Sequence, residues 1–362
     1  MLRKMSVLVS LMLVVAILFS ACAPQEAAPV EEAPAEEAPA EEAPAAEEAP
    51  KFRAAMVTDL GGLAASEDVK GFSDLGWDAL KKAEAELGIE ITLVESTELA
   101  QLEPNLTKLA SEGYDFVVGV GYLFTDAMAA VAPRFPDVNF AIVDSVVEAP
   151  NVASLIFAEE EGSFLVGAIA AGMSKTGIIG FIGGMEGPLI EKFEAGYIAG
   201  ARSINPDIKV LSGYTGNFTD VASGKELALT QFRQGADVIY AAAGSCGLGT
   251  IEAAKENGFW AIGVDTDQDG VAPGHVLTSM LKHVEVAVYD SLKSAYDGNF
   301  KSGVHLYDLA AGGVGYSELK YTRDQIPPEL LEKVDALAER IKADEFDVPT
   351  TRDEAYKFEL PS

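Results

Sequence analysis

FRAAMV (52–57), ITLVES (91–96), FVVGVG (116–121), NFAIVD (139–144) and ASLIF (153–157) are apolar runs of strand length that recur at regular intervals. Between them lie stretches with helical character, at Gly76 to Leu87 and Ala100 to Ser111. Strand and helix alternate. A parallel pair of strands needs a long, right-handed crossover and buries both of its faces, so the alternation predicts an α/β fold with parallel sheet. The pattern then starts again. TGIIGFIGG (176–184), a helix from Leu189 to Ser203, IKVLSGYT (208–215), a helix from Ser223 to Gln234, ADVIYAAAG (236–244) and WAIGVD (260–265) predict a second unit of the same kind.

After VLTSML (276–281) come a helical segment from His283 to Tyr296, then VHLYDLAAGGVGYS (304–317), and a last helix near Pro328 to Ala343. This tail is expected to cross back, so that more than one strand joins the lobes. The expected division is a first lobe at 51–157 completed by about 283–303, a second at 158–282 completed by about 304–325, and a C-terminal helix and tail at 326–362. Open parallel sheets bind ligands at the carboxyl ends of their strands. Two lobes facing one another there would form a cleft that a hinge can close, the architecture of periplasmic-type binding proteins.

The N-terminal end speaks of export. Arg3 and Lys4, an apolar run from Met5 to Phe19 and the small pair Ser20 and Ala21 have the order of a secretory signal peptide, expected at 1–21. Small residues directly before Cys22 resemble a bacterial lipobox, which makes Cys22 the expected lipidation site. From Ala23 to Pro50 the chain repeats EEAPA-like units with nine glutamates and no basic residue. Such a stretch cannot offset its ordering entropy and reads as an extended tether, 22–50 with the cysteine. The expected setting is extracytoplasmic, at a cell membrane reached through the lipid. Cys246 is the only other cysteine, so no disulfide framework is expected, and it reads as a small packing residue.

The formal charge is −31; taking away the tether's nine glutamates and the leader's two bases leaves the body near −24. That surface is a poor partner for nucleic acid and for anionic lipid. A monomer is expected, since a cleft must open and close freely.

The residues at the strand ends carry the chemistry. Asp59 leaves the first strand in VTDLGG, Tyr122 and Asp126 follow the third in GVGYLFTD, Asp144 ends FAIVD, and Asp265 and Asp267 stand in GVDTD. A carboxylate at such a position can accept two hydrogen bonds from a sugar diol or a base amine. Each follows a buried run directly, so Asp59, Asp144 and Asp265 are the expected ligand acceptors. Phe72, among small and acidic residues, offers a flat face for stacking a heterocycle, with core packing as the alternative. Phe218, in GYTGNFTD, is placed equivalently in the second lobe. AAAGSCGLG (241–249) lacks the lysine of a P-loop and the spacing of a dinucleotide fingerprint; its Gly244 reads as a place where a ligand nears backbone N–H groups. Lys282 is the basic side chain placed at the cleft.

No catalytic set emerges. His275, His283 and His305 have no spacing that suggests a triad or a metal site, there is no GxSxG elbow, and no calcium-loop spacing occurs. Neither an enzyme nor a cofactor or metal is expected.

VTDLGG, GFSDLGW, GVGYLFTDA, FAIVD, EGSFLVGAIAAGMSKTGIIGFIGGM, GKELALTQFRQGADVIYAAAG, AIGVDTDQ and VLTSMLKHVEVAVYD together resemble the basic membrane protein family of lipoproteins, from about Phe52 to Tyr316. The best-understood members of that family are purine nucleoside receptors feeding ABC transporters. The resemblance implies a type I periplasmic-binding-protein fold, with an aromatic sandwich on the base, acidic side chains on the ribose and base edge, and an ABC permease as partner. It carries Asp59 and Phe72 over from the first motif, Asp144 from FAIVD, Asp265 from GVDTD and Lys282 from SMLK. For the second ring it leaves both Phe218 and Tyr240 open. One departure stands out: the family's first motif runs near DDKSFNQSAWEG, whereas EDVKGFSDLGWDAL puts Ser73 and Asp74 in place of the amides and lengthens the loop from Asp59 to Phe72. The expected ligand-binding set is Asp59, Phe72, Asp74, Tyr122, Asp144, Phe218, Gly244, Asp265 and Lys282. The alternatives are the same fold holding a sugar or another small heterocycle, and a surface sensory or adhesion lipoprotein.

Overall fold

The computed structural model describes residues 51–64 and 69–361. The expected leader, Cys22 and the tether lie outside the described residues, as does 65–68 in the first loop. The first unit contains β1 (Arg53–Thr58), α1 (Phe72–Leu87), β2 (Glu90–Val94), α2 (Leu102–Ser111), β3 (Phe116–Val120), α3 (Thr125–Val131), β4 (Asn139–Val143) and β5 (Val152–Phe157). The second contains α4 (Glu159–Met173), β6 (Ile178–Gly183), α5 (Pro188–Ile204), β7 (Lys209–Tyr214), α6 (Val221–Arg233), β8 (Val238–Ala242), α7 (Cys246–Asn257), β9 (Trp260–Asp265) and β10 (Val276–Lys282). The tail adds α8 (Val284–Tyr296), β11 (Gly303–Tyr307), β12 (Val314–Tyr316), α9 (Pro328–Lys342) and the short α10 (Arg352–Ala355).

Two six-stranded sheets result, ordered β11-β5-β4-β3-β1-β2 and β12-β10-β9-β8-β6-β7. Their pairings are parallel except for β10 with β12. The two orders repeat one pattern: β1 lies between β2 and β3, and β6 between β7 and β8. Winding therefore reverses at β1/β3 and at β6/β8. Loops leaving the two strands of such a pair go to opposite faces of the sheet and open a crevice at the carboxyl ends.

The central strands form where the sequence is Val- and Ile-rich on both faces: every residue of β3 and of β8 is buried. α4 has no counterpart among the helices expected from periodicity. Its run GSFLVGAIAAG is apolar on every side, because this helix is buried all round rather than along one stripe. It crosses α5 at backbone distance: a Cβ on Gly167 would lie 2.2 Å from the Tyr197 carbonyl oxygen, and one on Gly200 1.9 Å from that of Phe164.

The chain passes between the sheets from β5 to α4, from β10 to α8 and from β11 to β12, so the tail does cross back. α8 packs on α1, and β11 pairs with β5 over its whole length before β12 returns to the second sheet. The division expected near 303/304 falls inside β11, and the crossing lies beyond Tyr307, because His305 and Tyr307 continue the ladder of the first sheet. No helix among the described residues is long and apolar enough to cross a membrane.

Candidate ligand-binding site

A cavity of about 490 Å³ lies where the carboxyl ends of the two sheets face each other. All nine residues expected from the sequence line it: Asp59, Phe72, Asp74, Tyr122 and Asp144 from the first lobe, and Phe218, Gly244, Asp265 and Lys282 from the second. Both switch points supply walls. Asp59 follows β1 and Tyr122 follows β3, while Gly244 follows β8.

The rings come from opposite lobes. Phe72 is the first residue of α1, and Phe218 sits in the loop between β7 and α6. Tyr122 meets Phe218 edge-on, with centroids 6.4 Å apart and planes at 76°. Tyr240 does not line the cavity; it is fully buried in the second lobe, 5.6 Å from the Phe181 ring and 5.2 Å from that of Tyr197. β8 points Tyr240 into the core beneath the sheet, which leaves Phe218 as the second-lobe phenyl or phenol ring that came into question. Gly244 has φ 55°, and a Cβ there would come within 2.9 Å of the Phe218 carbonyl oxygen. Ser245 N–H also donates to that oxygen at 2.9 Å. The glycine thus seats Phe218's own backbone.

The acids fall into two groups. Asp74 is occupied: Oδ2 accepts from Gly71 N–H at 2.9 Å and from Ala64 N–H at 3.1 Å, closing a capping box at the start of α1. This carboxylate holds the first loop. Asp144 is occupied too, because Lys282 Nζ donates to its Oδ1 at 2.6 Å. Asp59 Oδ1 accepts from Gly61 N–H at 3.1 Å, and its other oxygen accepts no hydrogen bond among the described residues. Burial raises its pKa, which that one backbone bond only partly counters. Asp265 has no hydrogen bond to its carboxylate among the described residues; burial pushes it up to about 6 against the pull of Lys282. Asp126 lies in a separate surface depression, and Asp267 accepts from Asp269 N–H at 3.0 Å.

Asp144 and Asp265 directly follow or end the equivalent strands β4 and β9, and both have left-handed backbone, φ 67° and 65°. This region is disfavoured for residues with a Cβ, and Asp is among the few that tolerate it. At Asp265 the cause is visible: Thr266 N–H donates to the Val264 carbonyl at 2.7 Å, so Asp265 is the centre of a γ-turn.

Lys282, expected at the cleft, is 1% exposed and has a role that its sequence position does not disclose. Besides Asp144, its ammonium lies 2.9 Å from Glu159 Oε1, an ion pair without hydrogen-bond geometry. Lys192 Nζ donates to Glu159 Oε2 at 2.7 Å and to the Phe157 carbonyl at 2.7 Å. Burial pushes Glu159 up, but the two lysines outweigh it and hold the carboxyl below its usual range. Asp144 shares one lysine with Glu159, and burial prevails there, pushing it up to about 7. Lys282 itself is held well above its usual value by the acids around it, which outweigh burial.

Several lining residues had no local signal. Ile190 and Phe193 of α5, Val221 of α6 and Gln268 read as ordinary helix-face or loop residues and reach the cavity through tertiary packing. Lys70 lines it as well and pairs with Asp78. Cys246 is buried at the start of α7.

The family model for ABC transporter substrate-binding proteins of the PnrA-like type (Bmp) matches residues 54–352. Basic membrane protein A2 of Borrelia garinii subsp. bavariensis is 37% identical over 299 residues, 80% of this chain and 88% of its own. The ABC transporter nucleoside-binding protein BmpA of Lactococcus lactis subsp. cremoris is 37% identical over 285 residues, 72% of this chain and 80% of its own. A solute-binding protein of an ABC transporter system from Aeropyrum pernix superposes with a TM-score of 0.77 at 28% identity, covering 84% of this chain and 96% of that one. With two parallel-dominated lobes joined by three crossings, the fold is that of type I periplasmic binding proteins. The chain belongs to the family of PnrA-like ABC transporter substrate-binding proteins.

Proposed function

We propose that this protein captures a purine nucleoside between its lobes and delivers it to an ABC permease, acting at the outer face of a membrane to which the lipidated Cys22 and its tether anchor it. The observation that carries this reading is the pairing of Phe72 and Phe218, from opposite lobes, with two carboxylates that keep open acceptor positions, Asp59 and Asp265. Rings suit the faces of a base, and carboxylates suit the hydroxyls and amines at its edge and on its sugar. The volume of about 490 Å³ lies in the range of small-molecule pockets. Lys282 is neutralised by its own acids, and Lys70 by Asp78, so a phosphate would find more negative than positive charge here. The ligand is therefore a nucleoside rather than a nucleotide. The nucleoside specificity named for the Lactococcus relative agrees with this reading.

Thermal unfolding of the body, residues 51–362, against nucleosides, free bases, pentoses and nucleoside monophosphates tests it. A ligand at about 100 times its Kd adds about 2.7 kcal/mol of stability. A rise in midpoint with adenosine, guanosine or inosine, and not with ribose, supports the proposal. A rise with pentoses alone would assign the site to a sugar and defeat it.

A further inference from the structure

We infer that Thr266, a residue of the second lobe, sets the position of Phe72, a residue of the first, so that the aromatic face for the base is completed by closure of the cleft. The inference rests on the reading of the site as one for a stacked nucleoside.

The Lys70–Gly71 peptide unit, one residue ahead of the one that enters Phe72, is held at both ends. Its N–H, on Gly71, donates to Asp74 Oδ2 at 2.9 Å within the first lobe. Its carbonyl, on Lys70, accepts from Thr266 Oγ1 at 2.9 Å across the cleft. Gly71 is the extended N-cap of α1, with φ −118° and ψ −169°. Fixing this peptide constrains Gly71, the residue through which the chain enters α1 at Phe72.

Thr266 is itself fixed. It is buried, and its N–H closes the γ-turn around Asp265 by donating to the Val264 carbonyl at 2.7 Å. One tight turn thus aims two groups at once, the Asp265 carboxylate into the cavity and the Thr266 hydroxyl onto the loop of the opposite lobe. The positive φ of Asp265 is the local cost of that double aim. Other contacts span the same gap: Tyr122 Oη lies 3.6 Å from Met185 Sδ, and the Tyr122 and Phe218 rings touch. The described conformation is therefore closed, and the Thr266 bond belongs to the closed form. A ligand that closes the lobes gains it, and with it a fixed Phe72.

The test is a double-mutant cycle read by adenosine titration calorimetry, with Thr266→Val, which removes the hydroxyl at constant shape, Thr266→Ser, which restores it, and Phe72→Ala. Hydrogen exchange at Gly71 and Phe72, with and without adenosine, is the second readout. Thr266→Val is expected to weaken adenosine about two- to tenfold, the range of one neutral hydrogen bond. It is also expected to abolish part of the protection that adenosine gives to Gly71 and Phe72. Thr266→Ser recovers both, and the loss vanishes in the Phe72→Ala background, an outcome a merely structural threonine would not produce. Adenosine binding unchanged in Thr266→Val, or weakened equally with and without Phe72, overturns the inference alone. Failure of the unaltered protein to bind adenosine overturns the nucleoside reading and this inference with it.

Discussion

Replacing Lys282 with Met keeps most of the side chain's length and removes the charge that ties the lobes together beneath the cavity. Lys282 projects from the end of β10 and holds Asp144 Oδ1 of the first lobe at 2.6 Å, with Glu159 Oε1 at 2.9 Å. Without it Glu159 keeps Lys192 at 2.7 Å, whereas Asp144 is left with no cation in contact. Breaking a buried pair by removing one partner costs about 3–5 kcal/mol, a large part of the 5–15 kcal/mol that domains possess. The cost has a signature in pH. Burial already pushes Asp144 up to about 7 in the intact protein, and loss of Lys282 raises it further. A carboxyl whose folded pKa is raised binds more protons folded than unfolded. Its stabilising contribution is full below the ordinary carboxylate range and is lost as pH rises through the folded value. Above pH 7 the intact protein has released a proton that Lys282→Met still holds, so the deficit widens by about 1.4 kcal/mol per pH unit until the variant's own pKa is reached. Denaturant unfolding of both proteins at pH 7 and pH 9 measures this. A deficit under about 1 kcal/mol at both pH values, or one of equal size at the two, would refute the assignment of Lys282 as the partner that holds Asp144.

Phe72→Ala is expected to weaken adenosine by about 1–3 kcal/mol, the worth of one base stacked on an aromatic ring, and to leave ribose binding unchanged; calorimetry with the two ligands checks it. Asp265→Asn preserves the shape and the left-handed backbone but removes the anionic acceptor, so adenosine should lose about 1.5–3 kcal/mol and adenine far less; equal losses would sink the placing of the sugar at Asp265. Arg352→Met removes the bidentate pair that Nε and Nη2 make to Glu194 at 2.8 and 2.7 Å. Glu194 is fully buried on α5, so a loss of about 3 kcal/mol is expected in the denaturant midpoint, with α10 detached from its helix.

Much of this arrangement was legible in the residues. The two α/β units, their order and the strand ends follow from apolar runs that alternate with helices, because that alternation is the direct imprint of parallel sheet. That Asp59, Asp144 and Asp265 line the cavity was legible for the same reason: a polar residue straight after a buried strand has few places to go other than the carboxyl edge. What stayed hidden is long-range. Glu159 stands in EEEGSF, a run of acids with no local sign of burial; that it is buried against Lys282 and Lys192 depends on three elements meeting at the crossings. α4 was hidden because a helix buried on all sides carries no period. The occupancy of Asp74 by Gly71 and Ala64 was hidden as well, so a residue expected to meet the ligand serves the loop.

The two lobes use the same strand ends unequally, and the inequality explains why one acid is left open. β5 ends in Phe157 where β10 ends in Lys282, and the Lys282 ammonium lies 5.0 Å from the Phe157 ring. Of the two equivalent left-handed aspartates, Asp144 therefore faces a cation delivered from the other lobe, while Asp265, beside that cation's own strand, accepts no hydrogen bond on its carboxylate among the described residues. The Lys282 ammonium lies against Asp144 and Glu159. Burial charges Asp265 a desolvation cost in the empty closed form, visible in its raised pKa, and that cost is relieved when a hydroxyl or amine enters. The closed cleft is thus poorer in energy when empty than when filled by a ligand with donors at that edge, and it is this difference between the two states that a bound ligand can draw on to favour closure.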